Sequence, residues 1–358
     1  MQGPLADALT DRGVEVATFP LGALRRSFRP DYLAAVAWNN LSGAMRLARL
    51  IREQDVALVH SNNSHVLAGA LAARMTGRPH IAHVRENILP PRAVSLAVAR
   101  AFFLLSDRAI VVSRGAAAEF LGAHASHRKV RVIYNGVDLP AFDPDAEPGL
   151  VRERLGWPRE ELHVGIVARL TPWKGHQVFL EAAALVAKGR PGVRFVIVGD
   201  ADTPRNQAYK RELEVRARQL GIAERVRWTG FVSPPQALIS ALDVVVVPSV
   251  RPEPFGRAVV EAMASRRPVV ATNRGGPPEI LSGGGGLLVR PADAQALADA
   301  VLLLLRDDDL RLEMGRVALA EAHRRFDIRS HVKAVTSVYD EVLHHRGDYG
   351  GESWIYPL

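Results

Sequence analysis

Short β-branched runs alternate with helix-like stretches along most of the chain. The first five are VEVATF (14–19), VALVHS (56–61), PHIAHV (79–84), AIVVS (109–113) and KVRVIYNG (129–136). After the proline-rich, acidic LPAFDPDAEPG (139–149) the alternation starts again with HVGIVARL (163–170), VRFVIVGD (193–200), RVRWTGF (225–231), DVVVVPS (243–249) and RPVVATN (267–273). Continuous apolar strands separated by helices predict parallel sheets covered on both faces. The pattern therefore gives two doubly wound α/β lobes, with ligands expected at the carboxyl ends of the strands.

The boundaries expected from this pattern are 1–148 for the first lobe and 149–328 for the second. A helix over 329–345, containing HVKAVTSVYDEVLHH (331–345), is expected to pack back toward the first lobe, and 346–358 is a tail without usable periodicity. A doubly wound lobe opens with a strand, a glycine-rich turn and a helix, yet PLADALTDRG (4–13) already reads as that helix. The first lobe is thus expected to lack its initial strand, and the chain to lack residues its parent had or to begin at a misassigned start. An unusual five-stranded lobe is the alternative.

A length of 358 residues suits two cores rather than one. The net charge of +8 is spread evenly, +4 in residues 1–150 (17 basic, 13 acidic) and +4 in the remainder. Such a surface favours anionic partners without a dedicated basic tail. Cysteine is absent, which excludes disulfides and thiolate metal sites and fits a cytoplasmic address. The most apolar stretch, AVSLAVARAFFLL (93–105), contains Arg100 and is shorter than the roughly 20 residues of a membrane span. No signal peptide is read ahead of the first lobe.

Two clusters in the second lobe carry chemistry. VARLTPWKGH (167–176) places Arg169 at a strand's carboxyl end and Lys174 in the first turn of a helix, where backbone N–H groups already favour an anion. Alone, two cations near a turn are more often solvated surface, and the second cluster is what raises the functional reading. EPFGRAVVE (253–261) follows a later strand of the same lobe. Its two glutamates are eight residues apart, about 80° on a helix, so Glu253 belongs to the loop and Glu261 to the helix.

ARLTPWKG, GFVSPPQALISALDVVVVPSVRPEPFGRAVVEAMASRRPVVATNRGGPPEI, IVVSRGAAAEF and VIYNGVD together resemble the retaining glycosyltransferases of family 4, over about residues 50–345. The resemblance implies the GT-B fold, two Rossmann-like lobes with a nucleotide sugar held on the second. It implies that Arg169 and Lys174 stabilise the leaving diphosphate, that Glu253 accepts hydrogen bonds from the transferred sugar, and that Glu261 accepts them from the ribose. Phe255 and Gly256 would bring backbone amides to the sugar and distal phosphate, with Gly275 and Gly276 of NRGGPPEI (273–280) approaching the donor closely. His83, in IAHVRE (81–86), would position or polarise the sugar; a buried, merely satisfied histidine is the other reading.

The activity so implied is transfer of a hexose or N-acetylhexosamine from a UDP- or GDP-sugar to a glycan or lipid-linked acceptor of a cell-envelope polysaccharide type. No cofactor, metal or nucleic acid is called for. The acidic runs DAD (200–202) and DDD (307–309) read as a post-strand loop and a helix start rather than metal ligands. An inactive fragment that binds nucleotide sugar, or another GT-B enzyme such as a sugar-nucleotide epimerase, are the alternatives. Arg25, Arg26 and Arg29, with the apolar 93–105 helix, suggest peripheral contact with an anionic leaflet at the inner face of the plasma membrane. The chain departs from the family pattern at Ala168 and Arg266, where glycines are usual, and in lacking the amino-terminal glycine-rich loop.

Overall fold

The computed structural model describes residues 4–21, 30–86 and 92–344. The chain forms two compact units, each discontinuous in sequence. The first comprises residues up to Ile110, Phe120–Arg131 and Val338 onward; the second comprises Val111–Glu119 and Val132–Ser337.

In the first unit, β1 (Val59–Ser61), β2 (His80–Val84), β3 (Arg108–Val111) and β4 (Val130–Val132) form a sheet in that order, β1 and β2 in parallel. Small residues let the helix Pro30–Glu53 pack closely on the helix Ala68–Thr76, through Ala44, Ala48, Ala68 and Ala72. Asn40 Oδ1 accepts from the backbone N–H groups of Leu67 and Ala68, and so satisfies donors at the start of the second helix that no local side chain caps. VEVATF is not a strand. Residues 14–19 are mostly exposed and join neither sheet; β propensity reflects packing against strand neighbours, and this run has none among the described residues. Arg25, Arg26 and Arg29 lie outside the described residues, and among the described residues no helix is long and apolar enough to cross a membrane.

The second unit carries six strands: β5 (Leu162–Val167), β6 (Val193–Val198), β7 (Val226–Gly230), β8 (Val244–Val247), β9 (Val269–Thr272) and β10 (Gly286–Val289). They are all parallel, in the order β10-β9-β8-β5-β6-β7. Alternate residues divide between two cores. Phe195, Ile197, Val244 and Val246 pack under the helices His176–Gly189 and Ala294–Arg306, while Val196, Val198, Val245 and Val247 pack under the helix Arg257–Ala264. Burial on both faces is why these strands read as unbroken apolar runs. The edge strand β10 was not foreseen: GLLV is four residues long, has only one β-branched residue and follows a run of glycines.

The carboxyl-terminal helix runs from Ile328 to His344. Its last turns belong to the first unit, where Glu341 accepts hydrogen bonds from Arg108 and Arg131. Arg266 has φ of 57°, the left-handed conformation at a helix end that glycine adopts most cheaply. An arginine there costs about 1 kcal/mol of backbone strain.

A buried ion pair clamps the amino ends of β5 and β8. Arg152 donates through Nη2 to Asp243 at 2.5 Å and also to the carbonyls of Ala241 and Glu161, while Asp243 accepts from the backbone N–H of His163. Burial draws the Arg152 and Arg267 guanidiniums down, the latter to about 10, and pushes the Asp243 carboxyl up. Replacement Arg152→Met strands a buried carboxylate and should destabilise the protein by about 3–5 kcal/mol in urea unfolding. A loss below about 1 kcal/mol would show that the pair is not what holds the strands.

Three imidazoles, His80, His163 and His176, are buried and brought down to about 4 chiefly by loss of solvent. In the unfolded chain they take up protons near pH 6.5, so the native state is favoured above that value and loses its advantage as pH falls toward 4. Each contributes up to about 3 kcal/mol across that window. Denaturation midpoints measured between pH 7.5 and 4.5 should fall steadily below about 6.5; a flat profile would contradict the burial of neutral rings.

Candidate functional site

In a doubly wound sheet, the two strands from which the chain winds in opposite directions leave a crevice at their carboxyl ends. Here those strands are β5 and β8. A cavity of about 300 Å³ opens there, lined by Ile166 to Arg169, Val246 to Ser249, and Lys174, Glu253, Gly256, Arg257, Ala258 and Glu261. Its size is at the lower end for small-molecule sites.

Lys174 is set by a tight turn. Pro172–Lys174 is a single 3-10 turn, followed by Gly175 with φ of 80°, so Lys174 sits just ahead of the helix and not in its first turn as the sequence suggested. A Cβ on Gly175 would overlap the Pro248 carbonyl, so only glycine lets this turn lie against the segment after β8. Lys174 Nζ donates to both oxygens of Glu253, at 2.9 and 2.7 Å, and lies 4.2 Å from the Trp173 ring centroid. Ser249 Oγ adds a third hydrogen bond to Glu253 at 2.9 Å. The pair is largely withdrawn from water, with Glu253 6% exposed.

Glu253 lies in the loop and Glu261 on the helix Arg257–Ala264, as their spacing requires. Glu261 is also buried, which pushes its carboxyl up, opposed by Arg257 one turn earlier, whose Nε donates to Oε1 at 2.7 Å. Arg169 is more exposed and pairs with Asp202 at 2.9 Å. Asp200 pairs with Lys210, so both acids of the DAD run have cationic partners. Among the described residues no three His, Cys, Asp or Glu side chains converge in a metal-ligating group.

The structure therefore brings Arg169, Lys174, Glu253, Gly256 and Glu261 to one cavity. Phe255 does not line it: its ring is buried against Tyr134 and Phe326 and anchors the loop. Gly275 and Gly276 make their close approach to the protein itself. Gly276 N donates to the Glu253 carbonyl, and a Cβ on Gly275 would overlap that same carbonyl. Both glycines thus seat the Glu253 loop. Ser249 and Arg257 were missed in the sequence; Ser249 follows an apolar strand, and an arginine on a helix carries no local signal of a buried partner.

His83 belongs to the first unit. It is buried on β2, stacked on His60 with ring centroids 5.2 Å apart, and its Nδ1 lies 3.2 Å from His60 Nε2. Arg85 Nε lies 3.4 Å from the other ring nitrogen, and Tyr339 OH lies 2.5 Å from His60 Nδ1.

Residues 150–320 match the model of the glycosyl transferases group 1, and residues 5–140 that of Glycosyltransferase Family 4. A D-inositol 3-phosphate glycosyltransferase of Corynebacterium jeikeium is 36% identical over 238 residues, 63% of this chain and 56% of that protein. The lipopolysaccharide core biosynthesis mannosyltransferase LpsB of Rhizobium meliloti is 28% identical over 245 residues, 68% of each chain. The chain spans about half the length of the first curated relatives it matches. Among solved structures, Anabaena HepE in complex with UDP-glucose superposes with a TM-score of 0.80 at 28% identity, over 95% of this chain and 90% of that one. The two parallel α/β units are those of the GT-B fold. With the two family models together spanning most of its length, the chain belongs to the group 1 glycosyltransferases of family 4.

Proposed function

We propose that the protein is a retaining glycosyltransferase that moves a hexose or N-acetylhexosamine from a UDP- or GDP-sugar to a glycan or lipid-linked acceptor, without a bound metal. The observation that carries this reading is the convergence of Arg169, Lys174, Glu253 and Glu261 on one cavity at the β5/β8 crevice. A donor of this kind has two polyol ends joined by a diphosphate. Two carboxylates suit the hydroxyls, since an ionised carboxylate only accepts hydrogen bonds, and two cations suit the diphosphate. The complex of HepE with UDP-glucose favours a uridine donor, and the mannosyltransferase LpsB favours an envelope glycan acceptor.

In this reading Lys174 and Arg169 stabilise the charge that develops on the leaving diphosphate when the anomeric bond breaks. Glu253 orients the sugar hydroxyls while holding Lys174 in place. The acceptor's proton passes to an oxygen of the leaving phosphate on the same face of the sugar, so no protein carboxylate attacks. His83, on β2 of the first unit, is carried in this reading as a residue that positions the sugar. Peripheral attachment to an anionic membrane is part of the same proposal, motivated by the basic and apolar segments of the amino-terminal part.

Donor turnover measured with UDP- and GDP-sugars, beside calorimetry with UDP and GDP, tests this. Lys174→Met should lower turnover by about 10²–10³ and also destabilise the protein, because Glu253 is left buried and uncompensated. Adding Glu253→Gln in the same chain should recover stability but not turnover. Recovery of both would mean that the pair is structural only. Nucleotide binding without turnover in the unmodified protein would point to an inactive binding protein, and sugar isomerisation without acceptor to an epimerase.

A further inference from the structure

Three cations line the cavity, and each has an acidic partner, but the pairs differ in which member is buried. Arg169 and Asp202 are both well exposed, and Lys174 and Glu253 are both largely covered. Arg257 and Glu261 are unequal: the guanidinium is 74% exposed and the carboxylate side chain 12%. An exposed pair one helical turn apart contributes little to helix stability. This pair has another consequence. The carboxylate is buried on the cavity wall, beside Ala258 and Arg257 of the preceding turn, and Arg257 is its only hydrogen-bond partner among the described side chains.

Resting on the reading of Glu261 as the ribose acceptor, we propose that Arg257 is a positioning residue for nucleoside recognition, holding the Glu261 carboxylate ionised and aimed so that it accepts the vicinal ribose hydroxyls. The geometry leaves room for this. Arg257 engages Oε1 through Nε, and Oε2 has no hydrogen bond to the described protein. A carboxylate accepts at about four lone-pair sites, so one guanidinium contact leaves capacity for two hydroxyls. Protonation would turn one oxygen into a donor and remove the charge that strengthens both bonds. Loss of solvent already pushes Glu261 in that direction, and Arg257 opposes it. The other charged groups around the cavity, Arg169, Lys174 and Glu253, face it from the segments after β5 and β8 and are engaged with partners of their own.

The role separates from a phosphate contact by comparing nucleotides that differ only in the ribose. UDP and GDP, each beside its 2′,3′-dideoxy counterpart, are titrated into the full chain at pH 8 and pH 6, for the unmodified protein, Arg257→Leu and Arg257→Lys. The phosphates titrate alike in each pair, so the affinity ratio reports the ribose contact. The unmodified protein should prefer the ribonucleotide roughly tenfold or more at both pH values. Arg257→Leu should lose most of that preference, more at pH 6 than at pH 8, while its affinity for the dideoxynucleotide changes by no more than about threefold because the missing charge is exposed and screened. Arg257→Lys should restore the preference.

An unchanged ratio in Arg257→Leu, an equal loss for both nucleotides of a pair, or tighter ribonucleotide binding would overturn the role while leaving the nucleotide site standing. Binding without ribose preference in the unmodified protein would overturn the assignment of Glu261 and this role with it. Failure of the unmodified protein to bind any of the four nucleotides would overturn the donor-site reading itself.

Discussion

The pairing of β5 with β8 is the constraint on which the second unit depends. Their registers match Val164 with Val244 and Ile166 with Val246, so two apolar strands from distant parts of the chain are locked side by side. At the amino ends, Arg152 and Asp243 close the pair with a buried salt bridge, and the backbone of His163 adds to it. Beyond the carboxyl ends, the helices that follow the two strands pack on opposite faces of the sheet, which leaves a crevice between the strand ends. A stiff clamp at one end and an uncovered crevice at the other follow from the same two strands.

What fills the rim of that crevice is set by the cost of burying charge. A lysine or glutamate withdrawn from water must be paired or it neutralises. Lys174 and Glu253 meet this requirement together, with Ser249 on the second carboxylate oxygen. The turn at Gly175 and the glycines at 275 and 276 press the two loops into the positions from which the pair can form. The cation is therefore in place before any ligand arrives. Electrostatic stabilisation of a leaving group depends on such placement, because a side chain that must reorganise during the reaction gives back part of what it contributes.

The strands of the second unit were legible because both faces of its sheet are buried, so β6 and β8 could be read without knowing which side faced inward. β10 was not legible, since four residues with a single β-branched side chain owe their strand conformation to β9 alongside. The opposite error occurred at 14–19, where good β-formers have no ladder among the described residues. For the site, the separation of Glu253 and Glu261 assigned one to a loop and the other to a helix, and the resemblance joined them to Arg169 and Lys174. Spacing could not show that Phe255 turns inward onto Tyr134, or that Gly275 and Gly276 serve the Glu253 loop. Those are contacts between segments far apart in sequence, which no local pattern encodes. Arg257 was missed for a related reason: an exposed arginine on a helix carries no signal until its partner is seen to be buried.

The two carboxylates reach similar burial by different means, and this separates their tasks. Glu253 holds three hydrogen bonds from Lys174 and Ser249 over both oxygens, so its position is fixed by the fold. Glu261 has one guanidinium on one oxygen, and that guanidinium is mostly in solvent. In the proposed reading the first is a rigid post beside the place where charge develops. In the proposed reading the second is an acceptor whose readiness is adjusted by a solvent-exposed guanidinium at the cavity rim. On that reading, a donor whose reactive end must be held more strictly than its nucleoside end would find rigidity at the sugar and diphosphate and the adjustable acceptor at the ribose.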